Sequence, residues 1–120
     1  MTTVTGVINR KGMTEHAETV TYTGMATNDT GYPIKLTDYA DRTVQVDGTF
    51  GGATIVWEGS NDGTNYFTLS DPNGVALSFT AAGLKQVVES CLYQRPKVTG
   101  GSGAAINATV LVRRQRGGRA

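Results

Sequence analysis

Apolar and polar residues alternate with a period of two in four stretches of the chain, which is the pattern of a half-buried β-strand. These stretches are 18–24 (ETVTYTG), 42–48 (RTVQVDG), 53–59 (ATIVWEG) and 105–113 (AINATVLVR). In the first, Val20 and Tyr22 share one face of the strand, while threonines occupy the other. The pattern predicts that one face of each strand is buried. The predicted inward residues are Val20, Tyr22, Val44, Val46, Ala53, Ile55, Trp57, Ile106, Ala108, Val110 and Val112.

Shorter apolar segments, bounded by turn residues, complete a set of about eight predicted strands. They are 4–8, 65–69, 75–79 and 92–98. The last contains Pro96, which has no N–H group for a ladder. It is therefore an edge strand, or Pro96 lies where the missing N–H faces away from a partner. Asp71-Pro72-Asn73-Gly74 has the residue preferences of a type I turn. Short strands with turns at close intervals predict a β-sandwich, jelly-roll-like in type.

One segment departs from the strand pattern. In TAAGLKQVVES (80–90), Leu84, Val87 and Val88 have the i, i+3, i+4 spacing of a helix face. Thr80 is suited to the N-cap position, whereas Gly83 weakens a helix. The segment therefore predicts one short helix of one or two turns.

Length and composition agree with a small β domain. The 120 residues suggest one domain. The 16 glycines suit many tight turns, and the abundant threonine suits pleated surfaces. We expect an all-β, single-domain sandwich with one short helix. Residues 1–17 would form an N-terminal arm or irregular segment, 18–112 the sandwich, and 113–120 a basic flexible tail. The polar stretches 9–17 and 24–41 are expected to be irregular.

Charge is unevenly distributed along the chain. Residues 1–94 hold five basic and ten acidic side chains, and 95–120 hold six basic ones and no acid. The tail has three possible roles: contact with nucleic acid, docking on an acidic protein surface, or a solvated end. No aromatic residue lies between its arginines, which counts against nucleic acid as a partner. The candidate partner contacts are Arg10, Lys11, Arg113, Arg114, Arg116 and Arg119.

The residue sets of common catalytic and metal sites are largely missing from the sequence. There is one cysteine, Cys91, and one histidine, His16, which lies in a polar stretch. Zinc sites need clusters of these residues, and a thiol nucleophile needs a nearby base. We expect Cys91 to be a small buried apolar residue. The expectation is a protein that is not an enzyme and has no metal or cofactor.

The stretch WEGSNDGTNYFTL (57–69) has three possible interpretations. Aligned to an EF-hand loop, it would require a glutamate where Leu69 stands, which rejects that motif. A looser calcium site at Asn61 and Asp62 stays open, as does a sugar platform made by Trp57 with Tyr66 or Phe67. The favoured interpretation is a hairpin, in which Trp57 faces the core and 61–64 form the turn.

No apolar run approaches the roughly 20 residues of a membrane span, and the N-terminus lacks a signal-peptide pattern. We therefore expect no membrane partner and synthesis in a reducing cytoplasm.

Residues 43–113 carry a series of motifs in a fixed order. The motifs are VDGTFGGA (46–53), WEGSNDG (57–63), DPNG (71–74), FTAAG (79–83) and RPKVTGGSG (95–103). The series resembles small proteins encoded in the head gene clusters of tailed bacteriophages, the capsid cement or decoration proteins.

The resemblance implies a jelly-roll-like sandwich that binds the outer surface of a capsid. Its implied partners are the major capsid protein and further copies of itself, as a homo-oligomer, expected to be a dimer. The expected location is the virion. The first 42 residues lie outside the motifs. A carbohydrate-binding or host-attachment module on a tail fibre is the alternative, and it requires an exposed Trp57.

Overall fold

The structure, a computed structural model, describes residues 3–10, 17–35 and 41–113. These residues form eleven strands and no helix. The strands are β1 (Thr3–Val4), β2 (Val7–Arg10), β3 (Ala17–Met25), β4 (Thr30–Gly31), β5 (Asp41–Thr49), β6 (Thr54–Ser60), β7 (Phe67–Thr68), β8 (Ser78–Phe79), β9 (Gly83–Val87), β10 (Tyr93–Thr99) and β11 (Ala105–Arg113).

The strands build two sheets. The first has the order β1-β4-β10-β6-β7, with β8 also pairing with β6, and the second has the order β2-β3-β11-β5-β9. Pairing is antiparallel except between β1 and β4. The chain passes from one sheet to the other several times along its length, as in a jelly roll. The predicted all-β sandwich is confirmed.

The core lies between the sheets and includes every residue that the alternation predicts to face inward. All eleven predicted inward residues are buried, from Val20 in β3 to Val112 in β11. Tyr22 and Trp57, from opposite sheets, meet edge to face with ring centroids 6.5 Å apart. Removing these side chains from water is the main favourable contribution to the fold.

Pro96 lies inside β10, between β6 and the segment 29–34. Gln94 and Val98 both donate their backbone N–H groups to that segment. Alternate residues of a strand point the same way, so Pro96 directs its missing N–H there too. A Cβ on Gly31 would lie 2.5 Å from the Pro96 ring. β10 is therefore not an edge strand, and Pro96 directs its missing N–H away from β6 and towards the segment 29–34, which also pairs with β10.

The prediction of a short helix over 80–90 is wrong. Residues 83–87 form β9, which pairs with β5 from Arg42 to Val46. Val87 is buried, but Leu84 is 62% and Val88 51% exposed, so the three do not form one apolar face. Pairing with β5 satisfies the backbone and buries Val87, and this outweighs the local helical spacing.

Two other predictions concern the turns and the N-terminal segment. The type I turn at 71–74 is confirmed, since Gly74 N–H donates to Asp71 O at 2.9 Å. Residues 3–10 form β1 and β2, which agrees with the strand predicted over 4–8 and not with an irregular arm. β4 lies in the stretch 24–41, which the sequence predicts to be irregular. The division into 1–17, 18–112 and 113–120 stays a prediction, but the described part of the first segment is strand.

A buried hydrogen bond joins the two central strands of the first sheet. Trp57 Nε1 donates to Gln94 Oε1 at 2.7 Å, and both residues are 1% exposed. The amide nitrogen of Gln94 donates in turn to the backbone oxygen of Glu89 at 3.3 Å. A buried indole N–H without an acceptor would be costly, so Gln94 makes the core position of Trp57 possible.

We expect Gln94→Met to destabilise the protein by about 1–3 kcal/mol, because the buried indole N–H loses its acceptor. The measurement is urea unfolding followed by the fluorescence of Trp57. The matched control is Gln86→Met on the exposed face of β9, which should change stability by less than about 0.5 kcal/mol. Equal effects of the two changes would contradict this role of Gln94.

Candidate partner-binding site

The two basic segments predicted to contact partners meet at one end of the second sheet. In β2, Arg10 is paired with Glu18 of β3. On the other side of β3, Val112 pairs with Glu18, and Arg113 with Ala17. The backbones of Arg10 and Arg113 therefore lie about 10 Å apart, two strand spacings, although they are far apart in sequence. We call this the Arg10–Arg113 end of the sandwich.

The structure places the six predicted contact residues unequally. Lys11, Arg114, Arg116 and Arg119 lie outside the described residues, directly after Arg10 or within the tail that follows Arg113. The side chain of Arg113 is 65% exposed and forms an ion pair with Asp41, with 3.3 Å between Nη2 and Oδ2. An exposed pair of this kind contributes little to stability and leaves the guanidinium accessible.

Loops of the first sheet reach the same end. β9 ends at Val87, beside Arg42 near the start of β5, and residues 88–92 then cross to β10. Leu92 N–H donates to Asn61 Oδ1 at 3.0 Å, which ties this crossing to the loop after β6. The Arg10–Arg113 end thus includes the segments 61–66 and 88–92.

Three tyrosines group around a depression at these loops. Tyr32, Tyr66 and Tyr93, with Pro33 and Asp62, line a volume of about 310 Å³. Tyr32 is 62% exposed. Tyrosine is common at protein interfaces because a large apolar ring carries a polar tip. We name Tyr32, Tyr66 and Tyr93 the tyrosine cluster.

Two of these rings form cation–π contacts with basic side chains of the same chain. The guanidinium of Arg95 lies 3.7 Å from the ring centre of Tyr66, and the ammonium of Lys35 lies 5.5 Å from that of Tyr93. Arg95 Nε also donates to Glu58 Oε1 at 3.0 Å. The sequence pattern does not predict the cluster, since its members come from three separate loops and strands.

The loop of 61–64 is held by its own polar groups. Asp62 Oδ1 accepts hydrogen bonds from Thr64 N–H at 2.8 Å and from Asn65 N–H at 2.9 Å. Ser60 Oγ–H donates to the same oxygen, and Ser60 Oγ accepts from Gly63 N–H at 2.9 Å. These bonds hold the pKa of the Asp62 carboxyl well below its usual range, chiefly through the N–H groups of Asn65 and Thr64.

This geometry decides two of the three interpretations of the stretch 57–69. Trp57 is buried in the core and the chain turns back into β7, so the hairpin is confirmed. A sugar platform that uses Trp57 is wrong, because its indole is 1% exposed and bonded to Gln94. Among the described residues, no three His, Cys, Asp or Glu side chains group closely enough to hold a metal ion.

Cys91 lies beside this loop and is half-buried, packed against the core. It lines an open groove of about 720 Å³ with Phe67, Leu69 and Glu89. Burial raises the pKa of the Cys91 thiol, which favours the protonated form. The prediction of a buried Cys91 holds in part: its side chain packs against the core, but it is only half-buried.

The described part of the chain contains no helical segment long and apolar enough to cross a membrane.

Comparisons with known proteins identify the fold but no family. No protein-family model matches the chain, and no curated protein matches it in sequence. The chain is similar to the SPBc2 prophage-derived protein YomS, with a TM-score of 0.64 and 11% identity over 85% of this chain and 98% of that one.

Two further structures are less similar. One is a cupin protein from Methanocaldococcus jannaschii, with a TM-score of 0.46 and 10% identity over 91% of this chain and 80% of that one. The other is the cupin domain of Schizosaccharomyces pombe Cnp3, with a TM-score of 0.47 and 9% identity over 92% of this chain and 60% of that one. The likeness to YomS supports the fold, and the two others carry no argument.

The hydrogen bonds to Asp62 predict a pH dependence. A carboxyl with a lowered pKa in the folded chain stabilises the fold above its unfolded pKa, and this is lost as pH falls through the folded pKa. We expect Asp62→Asn to be less stable than wild type at pH 7, with a difference that shrinks below about pH 4. Chemical unfolding at pH 7 and at a series of pH values below 4 measures this.

The control for this prediction is Asp47→Asn, another exposed aspartate, which accepts from the Asn107 side chain at 3.1 Å. This variant loses a charge but no hydrogen bonds that hold a loop, so we expect a smaller loss of stability at pH 7. An Asp62→Asn protein as stable as wild type at pH 7 would contradict the prediction.

Proposed function

We propose that this protein is a structural component of a phage virion. It binds the outside of the capsid shell as a homodimer and joins neighbouring subunits of the major capsid protein. We propose further that it acts through binding alone, without a catalytic step, a metal or a cofactor. The motif series of 43–113 supports this role, and so does the similarity in fold to a protein named as prophage-derived.

The observation that carries the proposal is the convergence of Arg10 and Arg113 at one end of the second sheet. The basic residues that follow each of them in sequence therefore start from the same end of the sheet, on either side of β3. We propose that the two basic segments together direct positive charge towards a single partner surface. We propose an acidic protein surface as that partner, since no aromatic residue lies between the tail arginines for stacking on bases.

The motifs behind the resemblance have structural roles in this fold. The turns at 50–53 and 100–103 pack together at the opposite end of the sandwich, and Ser102 N–H donates to Gly51 O at 2.9 Å. Gly101 has a φ of +75°, and a Cβ there would lie 2.5 Å from the backbone nitrogen of Ala53. These two motifs therefore stabilise the fold at the end opposite to the proposed contacts.

A cementing role also agrees with the small number of charged contacts that one copy can make. Each basic contact to a partner is individually weak, because exposed ion pairs contribute little. A capsid repeats the same contact many times, and a dimer engages two positions at once, so the sum is large. The carbohydrate-binding alternative loses its Trp57 platform, and we do not propose it.

The direct test uses purified phage heads filled with DNA. We expect this protein to be present in virions, and heads stripped of it to lose DNA at lower temperature or in low salt. Adding the purified protein back should restore the stability. Virions without the protein, or stripped heads of unchanged stability, would overturn the proposed function.

A second prediction concerns the Arg10–Arg113 end. The double change Arg10→Glu and Arg113→Glu should weaken binding to stripped heads at least tenfold, and binding of the wild type should fall with added salt. The control is Lys97→Glu, which makes the same kind of charge reversal at one position in the middle of β10. Cosedimentation with stripped heads measures the binding of the wild type, the double variant and the control. Equal binding of the double variant and the control would exclude this end as the contact.

A further inference from the structure

One lateral edge of the sandwich is formed by residues 3–10. β1 is the edge strand of the first sheet and β2 that of the second, and residues 5–6 connect them. Within 3–10, 17–35 and 41–113, no strand pairs with the outer side of β2. Its outward backbone groups are therefore available to a further strand.

β2 exposes apolar side chains on both of its faces. Val7 is 58% and Ile8 52% exposed. Ile8 pairs with Val20, which is fully buried, so Ile8 points to the core face of the sheet and is still half exposed. An edge strand with open hydrogen-bonding groups and apolar residues on both faces is a template for strand addition.

The sequence of β2 allows it to pair with itself. Residues 5–8 carry no charge. In an antiparallel pair centred on Ile8, Arg10 of one copy lies opposite Gly6 of the other, so the two arginines do not face each other. The other edge of this sheet, β9, has Lys85 at its centre, and pairing with itself would place two ammonium groups opposite each other.

We propose that a second copy of this chain pairs its β2 with β2 in antiparallel orientation across a two-fold axis, which joins the two five-stranded sheets into one. The inference rests on the proposed homodimer and names its interface. It also has a consequence for binding. Antiparallel pairing turns the Arg10–Arg113 ends of the two copies in opposite directions, so each dimer presents two separate contact ends.

The first test is the mass of the full chain in solution by light scattering. We expect the wild type to be a dimer and Ile8→Lys to be a monomer, because a charged side chain at the centre of the pair meets its own copy. The matched control is Leu84→Lys on the opposite edge of the same sheet, where Leu84 is 62% exposed. It should stay a dimer. Circular dichroism and thermal unfolding verify that each variant is folded.

Cysteine cross-linking is the second test and needs no disruptive change. Cys91→Ser removes the native thiol, and Ile8→Cys or Leu84→Cys then adds one to either edge. Directly paired residues of neighbouring strands lie about 4.5–5.5 Å apart, within reach of a disulfide. We expect mild oxidation to give covalent dimers with Ile8→Cys at least tenfold faster than with Leu84→Cys. Equal rates, or faster cross-linking through residue 84, would overturn the proposal.

Other outcomes identify other occupants of the edge. A monomeric wild type would overturn self-pairing, and loss of head binding by Ile8→Lys would then assign β2 to the capsid protein. A dimer that persists in Ile8→Lys would also overturn it. A wild-type dimer that responds to Ile8→Lys but binds no heads supports the interface and overturns the proposed function, so the two failures are distinguishable.

Discussion

The hydrogen bond between Trp57 and Gln94 is the constraint on which the rest of the structure depends. It places the largest side chain of the core at the centre of the first sheet, where the ring of Trp57 meets Tyr22 of the second sheet. The same Gln94 reaches the backbone of Glu89, and so fixes the segment that crosses between the sheets. The packing of the core thereby also determines the shape of the Arg10–Arg113 end.

Strand order explains how residues that are distant in sequence come to lie at the same end of the sandwich. β3 lies between β2 and β11, so the residues that end β2 and β11 lie on either side of β3 at one end of the sheet. The tyrosine cluster has the same origin, because β4, β10 and the loop after β6 belong to adjacent strands of the other sheet. The opposite end is occupied by the paired glycine turns, which leave little room for variable side chains.

Local pattern predicted the fold where burial alternates residue by residue. Val44 and Val46, or Ile55 and Trp57, could be assigned to the core because every second residue of β5 and β6 faces inward. The pattern failed at Leu84, since the helical spacing of the apolar residues there gives no information about pairing with β5. The grouping of Arg10 with Arg113, and of the three tyrosines, follows from contacts between distant segments, which periodicity does not contain.

The positions of the apolar residues separate the part of this small domain that forms the core from the parts that remain for contacts. Most of them fill the space between the sheets, which leaves edges and ends to make contacts. β2 takes part both in the interface and in the charged contact that we propose, because Val7 and Ile8 remain exposed along the edge while Arg10 ends the strand. An interface along an edge and a charged contact at an end lie at right angles to each other. A dimer built in this way can therefore reach two partners while its own interface stays intact, which is the geometry that multivalent bridging requires.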